Sequence, residues 1–105
     1  SYTANSFIGG VFFEGISSGT GTVTVGATDG IILADATAGV VTVDLPAAEQ
    51  STGRTLTVKK IDATANGVVL DGSGSETIDG AATQTITAQY MALTVACDGT
   101  EWWIV

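Results

Sequence analysis

ALTVACDGTEWWIV, residues 92–105, is the stretch on which the fold turns. Ala92 to Cys97 alternates Thr with aliphatic residues, Glu101 to Val105 is rich in strand formers, and Asp98-Gly99-Thr100 lies between them. Period-2 alternation is the pattern of a β-strand, and an Asp-Gly pair favours the positive φ angles of a tight turn. The two runs are therefore expected to pair as an antiparallel hairpin. Alternation then puts Trp102 and Ile104 on one face and Trp103 and Val105 on the other. Large apolar groups on both faces imply cover on both sides, by the domain core on one and by a neighbouring chain or loop on the other. This is the first indication of an oligomer.

The same grammar runs through the chain. TVTV (22–25), VVTVDL (40–45), TLTVKKI (55–61) and TITA (85–88) repeat the alternation, and Asp29-Gly30, Asn66-Gly67, Asp71-Gly72 and Asp79-Gly80 supply further turns. IIL (31–33) and VVL (68–70) are continuous apolar runs, expected to be strands buried on both sides. No segment sustains a helical period; PAAEQSTG (46–53) is long enough for a loop with a 3₁₀ turn and no more. Turn signals spaced by about 8–12 residues predict an all-β fold, a small jelly-roll-like sandwich or barrel of about seven to eight short antiparallel strands. Residues 1–21 are set apart as an N-terminal apolar arm or first strand, and 22–105 form a single β domain. Beginning at Ser1, the chain reads as a complete short protein.

Charge narrows the partners. Three basic residues, Arg54, Lys59 and Lys60, face eleven acidic ones, for a net charge of -8. Such a chain repels a phosphate backbone and an anionic membrane surface, so neither nucleic acid nor membrane is expected as a partner. With 45% apolar residues it can nonetheless collapse around a core. The three cations read as structural partners of the acidic excess, within the chain or between chains. Cys97 is the single cysteine, which excludes an intrachain disulfide and suits a small buried side chain.

Chemistry is sparse. Without histidine, and with one cysteine, no Ser-His-Asp or Cys-His constellation and no usual zinc set can be assembled. Asp71, Glu76 and Asp79 cluster in DGSGSETIDG, where a carboxylate pair or a calcium loop is conceivable. The calcium-loop template fails, because Glu76 stands where Gly is needed and Ala82 where a bidentate Glu is needed. These acids read as solvated turn residues. No glycine cluster satisfies a phosphate-loop fingerprint, and the helix such motifs require is missing. The expectation is therefore no catalytic residue, no metal and no cofactor.

What remains is surface. FIGGVFF (7–13) is dense in large apolar groups and contains Gly9-Gly10, which lets a segment bend or lie close to another backbone. It reads either as a first core strand or as an arm docking on another subunit. The residues expected at an interface with another subunit or a partner are Phe7, Ile8, Val11, Phe12, Phe13, Ile16, Trp102 and Trp103. A saccharide platform on Tyr90, Trp102 and Trp103 is the alternative use of the aromatics.

GRTLTVKKIDATANGVVLDGSGSETIDGAATQTITAQYMALTVACDGTEWWIV (53–105) resembles a β-module of tailed-phage virion proteins, particularly tail fibres and other surface structural proteins. The resemblance rests on the strand ending in Lys59-Lys60, on Asp71, on Ser75 to Ala81, on Ala88 to Tyr90 and on Asp98 to Trp102. It covers about half of the chain and leaves residues 1–21 outside. Trp103 stands where that pattern often has Tyr, which keeps an aromatic. The resemblance implies a non-enzymatic, homotrimeric building block of a phage particle. A short free-standing chain then points to a capsid decoration, or cement, protein on the outer surface of the virion, with the major capsid protein as partner. The alternative is a tail fibre or receptor-binding tip module, whose partners are other tail proteins or a host surface glycan. An acidic surface suits a protein that faces away from packaged DNA.

Overall fold

The structure, a computed structural model, describes residues 6–8, 11–13 and 16–105, with side chains from Ser18 onward. Its strands are β1 (Ser6–Ile8), β2 (Val11–Phe13), β3 (Ile16–Gly19), β4 (Thr22–Thr24), β5 (Ile31–Ala34), β6 (Val41–Asp44), β7 (Thr55–Lys60), β8 (Val68–Asp71), β9 (Thr83–Ile86), β10 (Ala92–Cys97) and β11 (Trp102–Ile104). The segment around Pro46 contains one 3₁₀ turn, Ala48–Gln50, and no α-helix occurs among the described residues. β1 and β2 form a two-stranded antiparallel hairpin with Phe7 opposite Phe12. The remaining strands make a five-stranded sheet in the order β11-β10-β7-β5-β3 and a four-stranded sheet in the order β4-β6-β8-β9.

The protein is all-β, but both sheets are mixed, which corrects the expected antiparallel, jelly-roll-like order. From β3 to β8 the chain steps from one sheet to the other at every turn, so each strand lies beside the strand two before it. β3, β5 and β7 therefore pair in parallel, with Ile31 beside Thr57, and so do β4, β6 and β8, with Val41 beside Val68. Three coils are stacked in this way. Within the two larger sheets, antiparallel pairing appears at β8–β9 and β10–β11, where the chain turns back within a sheet, and at β10–β7, where it returns from the other sheet. The last is the expected hairpin, with Cys97 opposite Trp102.

The core lies between the sheets. Ile32 and Ala34, Leu56 and Val58, and Val95 and Cys97 point inward from the five-stranded sheet, meeting Val41, Val43, Val68, Leu70 and Ile86 from the other. Each fully buried aliphatic of this kind contributes about 1.5–3 kcal/mol. The runs IIL and VVL are not covered on both sides: Ile31 is 39% exposed, and Leu33 and Val69 are half-buried. A two-layer protomer covers one face of each sheet, so the second apolar set looks outward.

Turn geometry follows the Asp-Gly reading at some pairs and departs from it at others. Asp79 (φ 51°) and Gly80 (φ 84°) are both left-handed, and Ile78 and Ala81 exchange amide bonds of 2.7 and 3.1 Å across them. That is the paired positive-φ turn favoured by Asp-Gly. Gly72, by contrast, is needed for space: a Cβ there would sit 2.4 Å from the Glu76 carbonyl oxygen. Gly72→Ala is accordingly expected to cost about 1–3 kcal/mol, the usual penalty for forcing backbone apart. A lowered urea midpoint with unchanged slope would register it; an unshifted midpoint would refute the close approach.

The expected interface residues Phe7, Ile8, Val11, Phe12, Phe13 and Ile16 have side chains outside the described set. The backbone of Ile16 lies in β3, in register with Ile31.

Candidate functional site

Asp71, Glu76 and Asp79, adjacent in sequence, do not converge on one site. Both Glu76 carboxylate oxygens accept the Ala48 amide at 3.0 Å, which supplies the 3₁₀ turn with the cap its own neighbours do not provide. Asp79 Oδ1 accepts the Ile104 amide at 2.9 Å. A third acid, Glu101, accepts the Thr77 amide at 3.2 Å and the Thr77 hydroxyl at 2.7 Å. Two acids of the cluster are thus engaged in fastening backbone, a more specific role than solvated turn residues. Among the described residues no three cysteine or carboxylate side chains gather as a metal ligand set.

These bonds bind the 72–82 loop along the free edge of β11. The Trp102 amide donates to Thr77 O at 2.9 Å and Trp102 O accepts from the Asp79 amide at 3.1 Å. The loop thereby covers a strand edge that would otherwise invite pairing with another chain. It also carries Ile78, fully buried, over Trp102. Trp102 has no solvent exposure. The expectation that it contacts another subunit or a capsid is corrected: its own chain encloses it.

Lys60 pairs with an acid of its own chain, in line with its sequence reading, but does so inside the protein. The strand alternation carries it inward with Leu56 and Val58, and it is fully buried. Its Nζ donates to Asp62 Oδ2 at 2.5 Å and to the Asp62 carbonyl at 3.2 Å. Asp62 also accepts the Ala36 amide at 2.7 Å, the Thr64 amide at 3.0 Å and the Thr64 hydroxyl. Asn66 Nδ2 then donates to Ala36 O at 2.9 Å. One polar cluster therefore joins the corner after β7 to the corner after β5. Burial pushes the Asp62 carboxyl up, but the bonds from Lys60, Thr64 and Ala36 outweigh it and hold the group well below its ordinary range.

The two outward faces differ sharply. On the five-stranded sheet, Trp103 and Ala96 face out from β11 and β10, followed by Thr94, Thr57 and Ile31 in one register row and Lys59 and Leu33 in the next. Trp103 lies on the opposite face from Trp102, as the alternation predicts; it is 47% exposed, and its Nε1 donates to Asp98 Oδ2 at 2.9 Å. The Glu101 amide, with the Trp103 indole and the Thr100 amide, holds the Asp98 carboxyl below its ordinary value. Tyr90 is exposed with a left-handed backbone (φ 66°), strained for an aromatic residue, and the Lys59 ammonium lies 5.7 Å from its ring centroid. Both exposed rings are held in place by charged neighbours.

On the four-stranded sheet the outward rows are Thr22, Thr42, Val69, Thr85 and Thr24, Asp44, Asp71, Thr83. Asp44 and Asp71 stand side by side on adjacent parallel strands, with no side-chain partner among the described residues. Like charges in that position repel. Arg54 lies elsewhere, its Nη2 donating to Gly26 O and Asp29 O at 2.5 Å each and so closing the 26–29 turn.

Two features escaped the sequence reading. The inward position of Lys60 was available from the alternation of TLTVKK, and its partner from the Asp two residues on. The adjacency of Asp44 and Asp71 was not, because it depends on β6 lying beside β8. No protein-family model matches the chain, and no match is found among curated proteins.

Proposed function

We propose that this chain is a non-enzymatic structural protein of a tailed-phage virion, a homotrimeric capsid decoration protein that braces the outer shell against the major capsid protein. The observation that carries a structural role is the outward face of the five-stranded sheet, where Trp103 and Ile31 stay exposed in a chain of net charge -8. Exposed apolar area of this kind serves association. Two candidate catalytic carboxylates, Glu76 and Asp79, spend their oxygens on backbone amides. The placement in a phage particle rests on the resemblance of residues 53–105. Many modest contacts repeated by symmetry would supply the bracing.

Electron microscopy of intact particles carrying the labelled protein tests the placement. Density on the shell at regular capsomer positions is the expected result; density confined to the tail would replace this reading with its rival. That rival is a tail fibre module with a glycan-binding tip, favoured by the exposure of Tyr90 and Trp103. A glycan array distinguishes it: the decoration reading expects no signal, and saturable binding lost in Trp103→Ala would favour the fibre.

A further inference from the structure

We infer that the outward face of the five-stranded sheet is the surface on which copies of this chain meet, turned toward the symmetry axis, while the outward face of the four-stranded sheet is turned to solvent. This rests on the proposal above that the protein assembles with itself.

The argument is electrostatic first. Copies that each carry a net charge of -8 repel, so a shared surface must keep carboxylates out. The strand residues of the five-stranded sheet's outward rows carry none: Trp103, Thr94, Thr57, Ile31 and Leu33 are uncharged, Lys59 is their one charge among the described residues, and the Asp98 carboxylate that reaches Trp103 from the turn is already held by the indole and two amides. The other sheet sets Asp44 beside Asp71, and covering that face with a like-charged copy would bury two carboxylates without partners. A strongly basic partner would seek free acids on the surface it covers, and the first face offers only Asp98, whose oxygens already accept from Trp103 Nε1 and from the Thr100 and Glu101 amides. A largely uncharged face on an acidic molecule fits a second acidic molecule of the same kind.

Size and order agree. The protein measures 38 × 33 × 20 Å, the short dimension matching two stacked sheets, so its broad side exceeds the roughly 800 Å² per partner of a standard interface. Trp103 is oriented by Asp98, and Tyr90 by its backbone and Lys59, so little side-chain freedom is lost when they are covered.

The test uses the full chain in dilute buffer, with Ile31→Arg and Thr57→Arg on the proposed face and Val69→Arg at the centre of the other. Circular dichroism checks folding, and sedimentation across a protomer dilution series reads association. The expected result is an associated wild type, two folded variants whose association is weakened at least about thirtyfold, and a Val69→Arg variant that behaves as wild type. Folded Ile31→Arg and Thr57→Arg variants that sediment as wild type, or a Val69→Arg variant that dissociates in their place, would overturn the assignment of the face and leave self-assembly standing. A wild type that is a folded monomer at every concentration removes both. Iodide quenching of the wild-type assembly needs no variant: Trp103 is expected to be shielded, and a freely quenched tryptophan in the intact assembly would overturn the assignment.

Discussion

Trp102→Ala is expected to remove about 3–5 kcal/mol of stability, the usual range for truncating a buried tryptophan. Against the roughly 5–15 kcal/mol that holds a typical domain together, this is a third or more of the total. The side chain is wholly enclosed, and its residue lies between Cys97 across the hairpin and Ile78 in the loop that flanks the other edge of β11. The backbone bonds to Thr77 and Asp79 pin the loop in place, so it cannot sink into the space left behind. A cavity therefore persists, and the penalty includes it. The indole Nε1 has no hydrogen-bond partner although it is buried. Trp102→Phe removes that unmatched donor along with some volume, and its cost is expected to be well below that of the alanine variant. Urea unfolding followed by circular dichroism measures both. A Trp102→Ala variant as stable as wild type would show that the loop does not seal the residue.

Asp62→Asn is expected to leave the fold barely stable at neutral pH. An ammonium sealed from water without its counter-charge costs on the order of 3–5 kcal/mol, and Lys60 has no solvent exposure. The pair as a unit is worth far less than either half alone suggests. Lys60→Met combined with Asp62→Asn should therefore recover most of the loss, since an apolar side chain replaces the stranded cation and the asparagine oxygen still accepts the Ala36 amide. Strict additivity of the two substitutions would disprove the coupling.

The same pair sets the acid limit. The Asp62 carboxyl titrates lower in the folded protein than its ordinary value of 3.8 in the unfolded chain. Its stabilising contribution is thus complete above that value and drains away as pH falls below it toward the folded pKa, because the unfolded state then takes up the proton first. Asp98, held down by the Glu101 amide and its neighbours, and Asp35, held down by the Thr37 hydroxyl and amide, act in the same direction. Stability is expected to be level from neutrality to about pH 4 and to fall steeply beneath it, and the Lys60→Met/Asp62→Asn protein should lose part of that slope. A midpoint insensitive to acid over this window would rule the argument out.

Individual strands were legible in the residues themselves. Alternation located β4, β6, β7 and β10, met β9 only at Thr85 and Ile86, and put Trp102 and Trp103 on opposite faces without showing which of the two the core encloses. It also identified the 97–102 turn, because a hairpin is a local object whose partners are separated only by its loop. The short-range signal failed at Ile31, where a continuous apolar run looked doubly covered and is in fact exposed on one side. Its outward face has no full cover among the described residues.

The chain by itself thus determined which segments are extended, that successive side chains along the alternating runs take opposite faces, and that its last strand folds back on the one before. Tertiary structure alone decided which strands became neighbours. A turn signal says that the chain reverses, but a step to the opposite sheet and a return within the same sheet use similar residues, so parallel coils and antiparallel hairpins read alike. Everything that depends on neighbours separated by many residues follows from that choice: the 72–82 loop over Trp102, the Asp62 carboxylate against Ala36, and Asp44 beside Asp71. Such contacts form because whole sheets pack to exclude water, a property of the assembled chain and not of any stretch within it.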